Sequence, residues 1–343
     1  MATLKDIAKA LGVSPSTVSR ALADSPLVNH DTKVRILRTA AALGYERNEL
    51  ARALVKGASG AIGLIVPDIT NPFFSDIARG VSDVADRAGY GVIFCNTDGR
   101  ADREVSYIRL LRRKRVDGLL VCSATLDAPL VGDLTAAGTP FVLVSRLSSE
   151  PDVPYVITDD RVGSRLAVKH LIDLGHRRIG FIGGPENVQA SRDRMAAYLD
   201  VLSEYGLPAE PAWRCHADFT QSAGREAGRR MLSSDERPSA IFAANDVIAL
   251  GVLEVADGLG CPIPHDLSLV GYDDIRYASL PRIQLTTVAQ PAVEMGRIAA
   301  DGLVAALMAG TSPEIRTTLV PRLIVRSTTA PARAQEPQRQ EGS

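Results

Sequence analysis

Residues 3–20 read Thr3-Leu4-Lys5-Asp6-Ile7-Ala8-Lys9-Ala10-Leu11-Gly12-Val13-Ser14-Pro15-Ser16-Thr17-Val18-Ser19-Arg20. The pattern is two short helices around a tight turn. Thr3 is placed to cap the first helix, with Asp6 three residues on. Leu4, Ile7, Ala8 and Leu11 share one face. Gly12 can close that helix in a left-handed conformation. Ser14 can cap the second, with Pro15 at its first position, where a missing N–H costs nothing. Val18 and Leu22 then turn inward and Ser16, Thr17 and Arg20 stay outside. A helix-turn-helix of this kind sets its second helix in a DNA major groove. Ordinary helical bundles contain such pairs too, so geometry alone leaves both readings open.

Moving outward, a third helix is expected over 31–43, with Val34, Leu37, Ala40 and Ala41 inward and a stop at Gly44. Asn48 can cap a brief helix over 49–55, ahead of Gly57-Ala58-Ser59-Gly60. A helix that short is unstable alone in water, so it needs a partner or DNA to form. From Ala61 onward, short apolar strands (62–66, 91–95, 118–122, 141–145) alternate with amphipathic stretches (73–88, 102–113, 128–137). A second series follows: helices at 161–174, 188–205, 221–233 and 246–259, and strands at 178–183, 239–244 and 267–272. Such alternation predicts parallel sheets with helices on both faces, arranged as two similar lobes. A helix at 291–309 and a strand near 316–325 are expected to cross back between them. The end of the chain is rich in Pro, Gln and Arg and reads as disordered.

The chain has 343 residues, 45% of them hydrophobic, and a net charge of −1. That length suggests two or three domains. Residues 1–57 hold nine Lys and Arg against five Asp and Glu, a net +4 that leaves −5 for the remainder. A positive head on an acidic body suits phosphate contact at one end only. Cys95, Cys122, Cys215 and Cys261 are scattered and form no C-x-x-C pair, so reduced thiols are expected. No signal peptide opens the chain and no apolar run approaches a membrane span, so a cytoplasmic protein without membrane attachment is expected. His170 and His176 read as structural, and no His/Cys/Asp spacing suggests a metal. Neither G-x-G-x-x-G, a P-loop nor a G-x-S-x-G elbow is present, which argues against an enzyme and against a cofactor.

Several ordered motifs carry a more specific signal. Val13-Ser14, Thr17-Val18-Ser19-Arg20, Gly44-Tyr45 and Ala51-Arg52-Ala53-Leu54 closely resemble the start of the LacI/GalR family of bacterial repressors. The likeness runs on through Asn71-Pro72-Phe73-Phe74, Arg115-Val116-Asp117-Gly118, Leu174-Gly175-His176, Asn245-Asp246, Gly271-Tyr272-Asp273-Asp274 and Leu285-Thr286-Thr287-Val288. The resemblance implies a small all-α helix-turn-helix head (1–47), a hinge helix and linker (48–60), and a two-lobed α/β sensor of periplasmic-binding-protein type (61–328). Lobe 1 is expected at 61–157 plus 288–312, lobe 2 at 158–287 plus 313–328, and a disordered tail at 329–343.

The same resemblance assigns base contact to Pro15, Ser16 and Arg20. Arg20 can grip a guanine edge with two hydrogen bonds, or touch only phosphate. Pro15 has no donor and offers apolar contact alone, which leaves the operator sequence open. Thr3, Ser14, Thr17 and Asn29 are cast as phosphate-positioning groups. Leu54 is implied to wedge into the minor groove and kink the duplex, with two hinge helices side by side. A homodimer on pseudo-palindromic double-stranded operator DNA follows, and the lack of a closing leucine heptad argues against a tetramer.

For the effector, Arg194 matches the family's binding arginine, although Ala197 stands where a glycine is usual. Asp273 matches an acidic residue at a strand end, where open α/β sheets place ligands. Asn245 and Gln290 add polar groups, and Phe73, Phe74 and Phe219 offer aromatic walls. Other roles stay open at this stage. Asn245 can cap the following helix, Asp273 can pair with Arg276, and one of Phe73 and Phe74 can point into the core. The wording most resembles ribose and related sugar regulators. A purine corepressor, or a sugar-binding protein without a regulatory role, remains the alternative.

Overall fold

Thr3, Ser14 and Asn29 each start a helix by the same device. In the computed structural model, which describes residues 2–45, 59–122 and 128–333, they cap Leu4–Leu11, Pro15–Leu22 and His30–Ala42. Thr3 and Asp6 form a reciprocal capping box, the Thr3 N–H donating to Asp6 Oδ2 at 2.8 Å. Gly12, at φ 66°, ends the first helix in the left-handed region that a side chain would resist. The three helices enclose Ile7, Ala8, Val18, Ala21, Val28, Ile36 and Ala40. The inward face of the third helix therefore differs from the expected one. Ile36 and Ala40 are buried, whereas Leu37 and Ala41 are exposed. The chain divides into two units, Met1–Ser59 and Gly60–Ser343. The expected hinge helix and its Leu54 lie outside the described residues.

The second unit holds two six-stranded sheets. The first is built from β1 (Ala61–Val66), β2 (Gly91–Asn96), β3 (Gly118–Val121), β4 (Phe141–Val144), β5 (Tyr155–Thr158) and β11 (Arg316–Leu319), in the order β11-β5-β4-β3-β1-β2. The second is built from β6 (Ile179–Gly183), β7 (Arg214–His216), β8 (Ala240–Ala243), β9 (Ser268–Asp273), β10 (Thr286–Ala289) and β12 (Arg322–Ile324), in the order β12-β10-β9-β8-β6-β7. Every pairing is parallel except β10 with β12. Parallel strands need long crossovers, and helices supply most of them, whereas residues 145–154 between β4 and β5 and 274–285 between β9 and β10 hold none.

Three strands escape the sequence reading: β5, β7 and β10 are short and lack a long apolar run. The expected strand at 316–325 is two strands in different sheets. Pro321, without an N–H to donate, falls between them. The lobe boundaries shift accordingly. β10 belongs wholly to the second sheet and β11 to the first, so the chain crosses after Thr158, after Ala289 and after Leu319.

The first lobe is closed by Pro72–Ala88 against Ala292–Ala309. These helices touch backbone to backbone, since a Cβ on Gly80 would lie 2.0 Å from the Val293 carbonyl oxygen. Residues 329–333, expected to belong to a disordered tail, are instead held against the second lobe, and the rest of that expected tail lies outside the described residues. Ala332 N–H donates to the Leu174 carbonyl at 2.8 Å, and His176 contacts Ser268 Oγ at 2.9 Å and the Ala330 carbonyl at 3.1 Å. Burial lowers the pKa of His176, which keeps its ring neutral in this role. Among the described residues no helix is long and apolar enough to cross a membrane.

Candidate functional site

In a parallel sheet every strand points its carboxyl end the same way, and side chains just past those ends converge. In this unit they converge from both sheets on one cavity of about 530 Å³. The first lobe supplies Asp68 after β1, Asp98 after β2, Cys122 after β3, and Ser145 and Arg146 after β4. The second supplies Asn245 after β8 and Asp273 at the end of β9. All seven effector candidates, Phe73, Phe74, Arg194, Phe219, Asn245, Asp273 and Gln290, line it.

Arg194 projects from the helix Gln189–Glu204 and is 4% exposed. Its Nε and Nη2 both lie 2.8 Å from Asp160 Oδ1, an Nη1 hydrogen bond reaches the Ala244 carbonyl, and its guanidinium stacks 3.7 Å from the Tyr272 ring centre. Burial works against its charge, but Asp160, Tyr272 and Asp273 more than offset that, so its pKa is raised. The cation is fixed and some of its five N–H groups stay available to a ligand.

Asp273 adopts φ 114°, a conformation side chains rarely take, and accepts a 2.7 Å hydrogen bond from Gln290 Nε2. Burial pushes its carboxyl up to about 7, against the pull of Arg194 and Gln290. Its nearest approach to Arg194 is 4.0 Å, at the limit of an ion pair. Asp273 does not pair with Arg276, whose guanidinium lies 5.2 Å from the Tyr277 ring; the neighbouring Asp274 pairs with Arg326 at 2.7 Å. Asn245 does cap Asp246–Gly258, its Oδ1 accepting from Ile248 N–H at 2.8 Å, and it also lines the cavity. Its amide nitrogen is the group left to donate.

The aromatic walls divide. Phe73 is 5% exposed and part of the first lobe's core, and Phe74 meets it edge-on with ring centres 5.1 Å apart. Phe219 presses on the backbone at Gly184, where a Cβ would lie 2.1 Å from its ring.

On the head, Pro15, Ser16 and Arg20 are exposed on the second helix, and Arg20 forms no ion pair among the described residues. Ser14 Oγ lies 2.7 Å from Ser16 Oγ and 2.8 Å from Thr17 Oγ1. The hydroxyls of the expected phosphate and base contacts are therefore tied into one cluster at a helix N-terminus, where the helix dipole favours anions. Thr3 and Asn29 stand at the other two N-termini.

A model of the bacterial regulatory proteins of the lacI family matches residues 3–48, and one of the periplasmic binding protein-like domain matches residues 168–329. The chain is 34% identical over 329 residues to the ribose operon repressor of Halalkalibacterium halodurans, covering 96% of this chain and 97% of that one. The chain belongs to the LacI family. This LacI-family regulator is also 33% identical over 302 residues to the transcriptional repressor PurR of Aliivibrio salmonicida, covering 88% and 91% of the two chains. Among solved structures it resembles the lac repressor dimer bound to operator and the anti-inducer ONPF, with a TM-score of 0.85, 27% identity, and coverage of 96% of this chain and 99% of that one. It is thus a DNA-binding transcriptional regulator with a helix-turn-helix head and a two-sheet sensor.

Sequence reasoning found Phe73 and Phe74 on the first lobe but missed that lobe's polar lining, Asp68, Asp98, Ser145 and Arg146 among it. The rule about strand ends that found Asp273 applies equally after β1, β2 and β4. Arg146 is 8% exposed, and burial lowers its pKa to about 10, partly opposed by Glu104. Asp160 was missed as well, because it stands behind Arg194 and holds it without lining the cavity. Among the described residues no group of three or more His, Cys, Asp or Glu is arranged to hold a metal.

Proposed function

We propose that the chain is a cytoplasmic, dimeric repressor without enzymatic activity, whose affinity for a pseudo-palindromic operator is set by an uncharged sugar bound between the lobes. The carrying observation is the cavity lining. Arg194 and Asp273 face one space with Phe73, Phe74 and Phe219 around it. Charged groups that can each bind paired hydroxyls, together with apolar walls for ring faces, suit a pentose or hexose. The lining carries Asp68, Asp98, Asp218 and Asp273 against Arg146 and Arg194. Asp98 is paired with Arg103 and the Asp273 carboxyl is pushed up to about 7, so these charges nearly balance and the cavity does not favour an anion.

In the head, Arg20, Ser16 and Pro15 read bases, while Thr3, Ser14, Thr17 and Asn29 position phosphates. Leu54 takes the minor-groove role that the family resemblance implies. Dimerisation is favoured by exposed apolar groups on both lobes. β2 is an edge strand with Ile93 and Phe94 at 40% and 45% exposure, and Leu259, Tyr277 and Leu280 are exposed on the second lobe. Edges of this kind are covered in stable proteins.

The test is a thermal-shift screen against pentoses, hexoses, sugar phosphates and purines, with hits carried into an operator-binding assay. A ligand at 100 times its Kd stabilises the protein by about 2.7 kcal/mol. A sugar that shifts the melt and changes operator affinity is the expected result. A purine as the sole hit would replace the sugar with a corepressor, and a sugar that binds without altering operator affinity would remove the regulatory role.

A further inference from the structure

Asp246 stands beside the effector cleft without entering it: it is fully buried and does not line the cavity. It opens the helix Asp246–Gly258, yet its oxygens serve other elements, because Asn245 already caps that helix. Oδ2 accepts from the Ile275 N–H at 2.8 Å, and Oδ1 accepts from Thr287 Oγ1 at 2.5 Å. Ile275 follows the end of β9, and Thr287 lies in β10. The β9 backbone makes room for the carboxyl, since a Cβ on Gly271 would lie 2.2 Å from Asp246 Oδ1. Burial, reinforced by the Asp273 charge, pushes the Asp246 carboxyl well above the usual carboxylate range.

The turn just before Ile275 is strained. Asp273 and Asp274 hold φ 114° and 57°, two successive non-glycine residues in a region that side chains rarely adopt. Such conformations persist only where the surroundings over-determine them. Gln290 holds the Asp273 carboxyl, and Asp246 anchors the backbone immediately past the strained pair. We propose that Asp246 is a positioning residue for the effector: by pinning the Ile275 amide and the Thr287 hydroxyl, it keeps the 273–274 turn in the shape that aims Asp273 into the cleft. The inference rests on the sugar-binding reading of the cleft and deepens it, since it adds a residue that acts on the ligand only through Asp273.

The experiment uses the full-length protein and measures sugar affinity by calorimetry, with D-ribose, D-xylose, D-glucose and D-galactose as probes. On the sugar that the wild type binds, it is compared with Asp246→Ala, Asp273→Asn and the double variant. Asp246→Ala should bind about tenfold or more weakly. In the Asp273→Asn background the same change should add less than about threefold, because residues that act through one group are not additive. Losses that multiply in full would make Asp246 a support of the fold alone and overturn the proposal, as would wild-type affinity in Asp246→Ala. Asp246→Asn should restore binding to within about threefold, since its amide can accept from the Ile275 N–H and donate to Thr287 Oγ1. A loss as deep as that of the alanine variant would also overturn the proposal. Should Asp246→Ala not fold, Thr287→Val takes its place in the cycle, because it removes one of the two hydrogen bonds and keeps the branched shape. It should lose about threefold or more in affinity, and nothing further in the Asp273→Asn background. Any other result there overturns the proposal. A wild type that binds none of the four sugars would instead bring down the sugar reading, and this positioning role with it.

Discussion

Asp160 Oδ1 accepts a 2.8 Å hydrogen bond from Arg194 Nε and forms an ion pair with Nη2, also at 2.8 Å. Asp160 begins the helix Asp160–Asp173, directly after the first crossing between lobes. The second crossing contributes Gln290, which holds Asp273 at 2.7 Å. Both charged groups proposed to grip the effector are thus held by residues at the crossings, whose backbone must rotate if the lobes change angle. These two contacts link the cleft directly to the crossings between the lobes.

Replacing Asp160 by Ala strands a buried guanidinium. Removing one partner of a buried pair costs about 3–5 kcal/mol. Urea denaturation of Asp160→Ala should show a loss of that order, and the double variant Asp160→Ala with Arg194→Met should recover much of it. A loss under about 1 kcal/mol in the single variant would mean that solvent already screens the pair.

Asp273 predicts a pH dependence. Its folded pKa, about 7, lies above its ordinary value of 3.8 because burial favours the neutral form. The stability it contributes is complete below about pH 4 and is lost as pH rises through 7. Asp273→Asn should flatten that part of the stability profile. Effector binding should run the other way, because the ionised carboxylate is the better acceptor of sugar hydroxyls, so affinity should climb between about pH 6 and 8. Calorimetric titration at several pH values checks both signs.

Arg20 should carry discrimination rather than bulk affinity. Losing a bidentate arginine–guanine pairing costs about 1–3 kcal/mol and relaxes one base position. In vitro selection with Arg20→Ala should return sites degenerate at one position per half-site. A uniform loss across all sequences would make Arg20 a phosphate contact.

Gly184→Ala places a methyl 2.1 Å from the Phe219 ring. The ring must swing away, at about 1–3 kcal/mol in stability. Effector affinity should fall while operator binding without effector is kept. A variant that binds effector normally would take Phe219 out of the cavity wall.

Local chemistry made the head legible. Caps at Thr3, Ser14 and Asn29, the Gly12 stop and the apolar spacing are interactions between near neighbours in the chain, so the helices could be read to within a residue or so. The inward face of the third helix was misread because Ile36 and Leu37 are equally apolar, and only packing against the other two helices decides which is buried. Alternation of strand and helix likewise declared two parallel sheets. It could not assign β5, β7, β10 and the split pair β11 and β12, since short strands draw their stability from partners far away in sequence.

The cleft divides along the same line. Residue types and motif order determined the family, the DNA-reading head and the seven effector candidates, because those signals lie along the chain. Only the tertiary structure brought Arg194 and Asp273 to 4.0 Å, placed Asp160 behind the arginine and raised the Asp273 carboxyl toward neutrality. Each of these depends on burial and on distances between residues 34 to 113 positions apart, such as Asp160 with Arg194 or Asp160 with Asp273. Burial and long-range distance are properties of the packed lobes, and no local pattern of residues encodes them.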